Sequence, residues 1–383
     1  MAQGARLEQY VKIKVVGVGG GGGNALNRMI GAGLGGVEFI CMNTDSQVLE
    51  LSIAPHRLQI GGALTKGLGA GGNPAVGRQA AEESRQDIKK LLEGAEMVFI
   101  TAGMGGGTGT GAAPLIAEIA REMNALTVGV VTKPFNFEGP RRLRLAEEGI
   151  AQLRSRVDTM ITIPNDRLLN VAGKRKTLLE AFQMADDVLR QGVQGVSDII
   201  TFPGMINVDF ADVKAIMINA GSAIMGIGQA GGDNRALEAA EMAVSSPLLE
   251  TPIDGARRVL LNVTAGPDIT LEEMYQAAGV IARCTDAENA QIIMGAVIDE
   301  NMLQEIRVTV LATGFGSEVD RVPVQGIPAE KALFPSPRHG VNPAAPAKAV
   351  DLNLPAFLQQ KNRPLPYAGA RYGEKVNESE RRR

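Results

Sequence analysis

"GMGGGTGTGAAP", residues 103–114, closes the apolar run "EMVFITAG" and opens the helical pattern "LIAEIAREM". Six of its twelve residues are Gly and two are Thr, so it brings almost no side chain to a core. Bare backbone between a strand and a helix puts free N–H groups at a helix N-terminus, an arrangement that suits an anion. Two more stretches repeat the pattern. "VKIKVVGV" (11–18) reads as a buried strand and runs into "GGGGGNALNRMI", and "GLGAGGNPAVG" (67–77) precedes the amphipathic stretch "RQAAEESRQDIKKLLEG" (78–94). In a parallel sheet such loops emerge together at the carboxyl edge.

Strand and helix patterns alternate along the first part of the chain. "VEFICMNTD" (37–45), "LTVGVVTKPF" (126–135) and "TMITIPN" (159–165) read as further strands, and "RLRLAEEGIAQLRS" (142–155) as a helix. The alternation implies an α/β fold with a parallel sheet and helices on both faces. A long helical pattern covers about 177–200, with Leu178, Leu179, Phe182, Ala185, Leu189, Val193 and Val196 on one face. Beyond it "FADVKAIMINAG", "NRALEAAEMAVSS" and "LEEMYQAAGVIARC" read as helices. "SAIMGIGQ", "RRVLLNVTAG", "AQIIMGAVID" and "IRVTVLATG" read as strands of a second, smaller α/β domain. The expected boundaries are 11–176, a linking helix 177–202, 203–316, a disordered linker 317–351 and a tail 352–383.

Composition narrows the function. The chain has 383 residues, room for about two domains. A net charge of −3 gives no footprint for nucleic acid. Two Cys (Cys41, Cys284) and two His (His56, His339) are too few for a disulfide framework, a Cys/His metal site or a Ser-His-Asp triad. No apolar run approaches membrane-spanning length, and no signal peptide precedes the first strand, so a cytoplasmic location is expected.

Gly17, Gly19 and Gly22 form G-x-G-x-x-G, with Asn43 and Asp45 at the end of the next strand. That is the fingerprint of a dinucleotide site and makes a nicotinamide-dependent oxidoreductase the alternative. One pyrophosphate needs one such loop, whereas three loops can surround a chain of three phosphates, with Thr108 and Thr110 adding hydroxyls. Two acidic sites carry two readings each. In "NVDFAD", Asn207, Asp209 and Asp212 are either an N-cap and first-turn acid or groups that polarise a water. In "AFQMADD", Phe182 and Asp186 are either a core ring beside a solvated acid or a base site. In the second case the ring stacks on a purine and the carboxylate accepts from guanine.

"GGGTGTG" (105–111) resembles the signature of the tubulin and FtsZ superfamily. "GLGAGGNP", "MNTD", "TKPFNFEG", "ITIPNDRLL" and "INVDFADVK" are similar to its bacterial cell-division branch, and the likeness is collinear over about 11–316. The resemblance implies a tubulin-type, Rossmann-like GTP-binding domain and GTP hydrolysis coupled to head-to-tail filaments. It also implies Mg²⁺ and a cytoskeletal ring at mid-cell that drives septation. It assigns Gly19, Gly20, Gly21, Asn24, Asn43 and Asp45 to the first two nucleotide loops, and Ala70, Gly71 and Gly72 to the terminal phosphate. Gly103, Gly105, Gly106, Gly107, Thr108, Gly109, Thr110 and Gly111 fall around the phosphates. Glu138 and Arg142 fall at the ribose, and Asn165, Phe182 and Asp186 at guanine. Asn207, Asp209 and Asp212 match a loop that acts on the GTP of the next subunit.

Three departures stand out. Gly72 replaces a usual Ala, which implies more flexibility at the terminal phosphate and no loss of binding. "LNLPAFL" (352–358) resembles the family's docking peptide for an actin-like, membrane-tethering division protein or another membrane anchor, and the resemblance separately implies division inhibitors and regulators as partners. The peptide is followed by Gln359 and Gln360 where basic residues are common. The chain then continues to a basic "RRR", open to lateral filament contacts, an acidic membrane surface or plain solvation.

Overall fold

The computed structural model describes residues 11–172, 177–201, 205, 206, 208–246, 253–285, 290–300 and 302–315. The tail, with its docking peptide, and Asn207 lie outside the described residues. Six βα units come first. β1 (Ile13–Val18) feeds α1 (Gly19–Gly31), β2 (Val37–Asn43) feeds α2 (Ser46–Glu50), and β3 (His56–Gln59) leads to α3 (Gly62–Thr65), α4 (Pro74–Glu83) and α5 (Arg85–Leu92). β4 (Met97–Gly103) feeds α6 (Thr108–Glu122), β5 (Leu126–Lys133) feeds α7 (Pro140–Arg154), and β6 (Thr159–Pro164) feeds α8 (Asn165–Ala172). The long α9 (Leu178–Thr201) and α10 (Phe210–Met217) follow. Then come β7 (Gly221–Gly231), α11 (Arg235–Val244), β8 (Arg258–Ala265), α12 (Leu271–Arg283), β9 (Gln291–Ile298) and β10 (Glu305–Thr313).

The strands form one sheet in the order β3-β2-β1-β4-β5-β6-β7-β10-β8-β9. β1 to β6 are parallel, and β7 joins β6 through Thr159↔Gly221 to Ile161↔Ala223. β10 runs antiparallel between β7 and β8, and β9 is parallel to β8. Every residue of β1 is buried, as an apolar central strand requires. Its side chains alternate between two cores. Ile13 and Val15 meet Leu26 and Met29 of α1 and Leu189 and Val193 of α9 on one face. Val16 and Val18 meet Ala80 of α4, Ile88 of α5 and Ile116 of α6 on the other. The region from α11 onward has a third cluster of its own, around Ala239, Val263 and Val308.

Several elements differ from the sequence reading. The single helix expected over 78–94 is two, broken at Ser84, whose hydroxyl accepts from Gly61 N–H at 3.0 Å. α4 also starts earlier, where Asn73 caps Ala75 N–H and Pro74 takes the first position. The edge strand β3, "HRLQ", has too little apolar pattern to be read from sequence. The first turn of α9 is not core: Leu178, Leu179 and Phe182 are exposed. Among the described residues no helix is long and apolar enough to cross a membrane.

Candidate nucleotide site

β1 and β4 lie side by side with Val18 opposite Ala102, so the loops that follow them leave the sheet together. A Cβ on Gly21 would stand 3.2 Å from Gly103 N, and one on Gly19 would stand 3.0 Å from Gly109 N. In the middle of the 103–111 stretch, a Cβ on Gly107 would meet Ala70 Cβ at 2.8 Å and Asn73 N at 2.9 Å. The central loop therefore touches the first Gly loop at Gly103 and Gly109 and the third loop at Gly107 between them. All three lead into helices, α1, α4 and α6, whose first N–H groups have no partner within the helix. Thr110 is buried and its hydroxyl accepts from Gly105 N–H at 2.8 Å, which fixes the loop's curvature. Asn43 and Asp45 hold the tip of β2: Asn43 Oδ1 accepts from Asp45 N–H, and Asp45 caps α2 through Val48 N–H.

A second group of residues lies on the α1/α9 face. Phe135, Phe137 and Phe182 cluster, with Phe135 stacked on Phe137 at 5.1 Å and edge-on to Phe182 at 5.5 Å. Glu138 accepts from Phe135 N–H and pairs with Arg142 at 2.6 Å. Asp186 faces Arg28 of α1 at 3.5 Å. Burial pushes its carboxyl up to about 6, against the pull of Arg28 and with a small addition from Asp187. Asn165, the first residue of α8, is buried with an Oδ1 that has no protein partner, and a buried amide oxygen of this kind calls for a ligand or water. Asn24, Gly20 and Gly21 are exposed on the first turns of α1. The third Gly loop sits instead on the α4/α6 face, anchored by Ser46 N–H on the Gly67 carbonyl at 3.1 Å. Phe182, Asp186 and Asn165 thus lie on one face of the sheet edge and Ala70, Gly71 and Gly72 on the other, with the first and central loops between them.

The acidic pair is elsewhere. Asp209 and Asp212 are exposed at the start of α10. The Asp209 carbonyl accepts from Asp212 and Val213 N–H, but its carboxylate makes no cap bond. α10 ends beneath the first residue of β6, where the Thr159 hydroxyl donates to Met217 O. The C-terminal end of α9 reaches Thr201, against Gly36 just before β2. Both contacts mark the amino edge of the sheet, whereas the loops occupy the carboxyl edge. The 24 residues of α9 span roughly 36 Å between the two. Asp209 and Asp212 are not brought together with the loops of their own chain.

Residues 12–173 match the Tubulin/FtsZ family, GTPase domain, and residues 221–316 match the FtsZ family, C-terminal domain. An empty FtsZ dimer of M. jannaschii is 46% identical with a TM-score of 0.77, covering 80% of this chain and 89% of that one. The chain belongs to the FtsZ family. A mutant FtsZ of M. jannaschii matches at the same identity and TM-score, over 80% and 92%. A GTPγS-bound CetZ2 protofilament from Haloferax volcanii, 20% identical with a TM-score of 0.67 over 81% and 95%, shares the fold. The GTPase domain makes this FtsZ-family chain a GTP-binding GTP hydrolase of the cytoskeletal type, which displaces the oxidoreductase alternative.

Sequence reasoning passed over Thr44, Arg28, Phe135 and Phe137 in this FtsZ-family site. Arg28 carries no motif of its own and becomes visible only when α1 and α9 pack together, and the two rings sit inside the quoted "TKPFNFEG", where only Glu138 was singled out. Thr44 sits inside the quoted "MNTD", between two residues that were singled out.

Proposed function

We propose that this FtsZ-family chain hydrolyses GTP at sites completed between subunits of a head-to-tail filament, and that the filament builds the ring at the bacterial division site. The observation that carries the proposal is the separation of the two half-sites. Gly loops that fit a triphosphate occupy one edge, and Asp209 and Asp212 stand exposed and uncapped at the other. Stacking subunits head to tail brings the edges together. Apolar side chains are exposed at both, Leu68 beside the loops and Met205 beside α10, as an interface needs. Relatives solved as a dimer and as a protofilament support the same association.

In the joined site the loop N–H groups and the Thr108 hydroxyl bind the phosphates. Phe182 packs on the base while ionised Asp186 accepts from the guanine N1–H and N2–H₂. The carboxylates of Asp209 and Asp212 from the next subunit orient a water and accept its proton. Among the described residues no group of three or more His, Cys, Asp or Glu side chains stands ready for a metal. The residues therefore fit an Mg²⁺ held mainly by phosphate oxygens and water, whose chemistry is charge neutralisation. Residues 352–358 are the segment we assign to a membrane-tethering partner, with division inhibitors and regulators as further partners and residues 11–176 and 203–316 as the two functional domains.

Phosphate release and light scattering, followed together after adding GTP and Mg²⁺ over a range of protein concentrations, test the proposal. Turnover per subunit is expected to be near zero below a critical concentration and to rise with scattering above it. Turnover independent of concentration would exclude a shared site.

A further inference from the structure

Thr44 is fully buried between two phosphate loops and is tied to both. Its hydroxyl lies 2.6 Å from the Thr108 hydroxyl, at the first position of α6. Its carbonyl accepts from Gly69 N–H at 3.3 Å and from the Thr65 hydroxyl at 3.2 Å, both in the segment that carries the third Gly loop. The Thr65 hydroxyl also reaches the Gly61 carbonyl at 3.0 Å, so α3 is held at the same point. One residue thus links the N-terminus of the central helix to the loop on the far side of the sheet from the base site.

We infer that Thr44 is a positioning residue that sets the preference for triphosphate over diphosphate, by fixing the third loop against the Thr108 hydroxyl. The inference rests on the nucleotide reading above. The base site lies on the α1/α9 face and the third loop on the α4/α6 face, so the third loop meets only the last phosphate of a bound nucleotide. A diphosphate is held by the first and central loops without it. Thr44 touches neither substrate half directly. Either hydroxyl can donate to the other; with Thr44 as the donor the Thr108 proton is free for a phosphate oxygen, and such linked hydroxyls strengthen one another. Its carbonyl keeps the Ala70–Gly72 tip within reach.

The test compares full-length wild type with Thr44→Val and Thr44→Ser, by titrating GTPγS and GDP below the assembly concentration. Thr44→Val keeps the shape and removes the hydroxyl. GTPγS binding is expected to weaken roughly tenfold, the scale of one lost hydrogen bond to a charged ligand. GDP binding is expected to stay within about twofold, with Thr44→Ser restoring both. Thr65→Val, which removes the hydroxyl shared by the Thr44 and Gly61 carbonyls, is expected to shift the same ratio by a smaller factor and serves if Thr44→Val does not fold. Equal weakening of GTPγS and GDP, or no recovery with serine, overturns the role of Thr44 while leaving the nucleotide site in place. A wild type that binds neither nucleotide overturns both.

Discussion

The two halves of the chain use the same βα units and finish them differently. In the first half, α1 and α6 begin at Val18 and Gly107, and neither N-cap residue makes a side-chain bond to the helix. In the second half, α12 begins at Thr270, whose hydroxyl accepts from Glu273 N–H while the Glu273 carboxylate accepts from Thr270 N–H. Glu273 and Asp268 then clamp the buried Arg235 of α11, each at 2.6 Å. The pairing holds Glu273 below the usual carboxylate range and Arg235 above its own. A helix start that the protein has filled with its own side chains cannot take a ligand. One left as bare backbone can, at a cost of about 1 kcal/mol in cap stability. α1 and α6 give up that stability, and α12 keeps it.

The halves then meet in function through α10, and the largest expected effect tests that meeting. Asp212→Ala should bind GTP as wild type does, because Asp212 lies at the opposite edge from the loops. Its turnover should fall at least roughly 100-fold, the scale of lost general base catalysis. Nucleotide titration beside phosphate release reads both. Loss of binding together with turnover would place Asp212 in the folding of its own chain instead of a neighbour's site.

Glycine contacts sharpen the comparison further. A Cβ on Gly111 would meet Pro74 O at 2.0 Å, and one on Gly228 would meet Ala239 O at 2.0 Å. Each glycine lets a helix lie directly on backbone, α4 on α6 in the first half and α11 on β7 in the second. Gly111→Ala and Gly228→Ala should each lose about 1–3 kcal/mol by denaturant unfolding, the cost of overpacking. Only Gly111→Ala should also lose the extra stability that added GTPγS gives the fold, since α4 carries the third loop's exit. An equal GTPγS response in both variants would mean that the α4–α6 contact does not shape the phosphate site.

That pair also shows what sequence could and could not supply. The Gly loops and the βα alternation are local patterns, and they were largely legible: the first and central loops stand at strand ends, as read, whereas the third follows the short helix α3. Gly228 was not separable from the phosphate glycines by composition, because its reason is a helix crossing that no local pattern encodes. The break at Ser84 and the polar strand β3 were missed for the same cause, as tertiary hydrogen bonds decide both. Phe182 stayed ambiguous because its spacing matches the apolar face of α9. Its exposure follows from where α8 and the Phe135 turn leave the first turn of that helix uncovered.

A smaller effect separates the base site from the phosphate loops by pH. Asp186 is lifted to about 6 by burial, above its unfolded value near 4. Its contribution to stability is therefore full below about pH 4 and lost as pH rises through 6, so the nucleotide-free fold carries a desolvated charge at pH 7. Guanine needs that charge. The ratio of GDP affinity in wild type to that in Asp186→Asn should be constant above pH 7 and shrink about tenfold by pH 5. Taking the ratio cancels the titration of the phosphates. A ratio that does not change with pH would remove Asp186 from base recognition.

The smallest expected effect concerns Gly72. Its φ is +69°, with Gly71 beside it at +58°, and no atom lies within 4 Å of a Cβ built there. Space therefore does not require glycine, but the left-handed backbone favours it. Gly72→Ala should lower the stability of the nucleotide-free protein by about 1 kcal/mol, measured by unfolding, and leave GDP affinity unchanged. GTPγS affinity then reports the conformation of the occupied loop. If the tip stays left-handed around the last phosphate, alanine strains the free and bound states equally and GTPγS affinity matches wild type. If the tip turns to ordinary backbone on binding, the strain is relieved there and GTPγS binds up to about fivefold tighter. Weaker GTPγS binding would fit neither case, and would mean that the freedom of glycine itself is needed as the third loop closes.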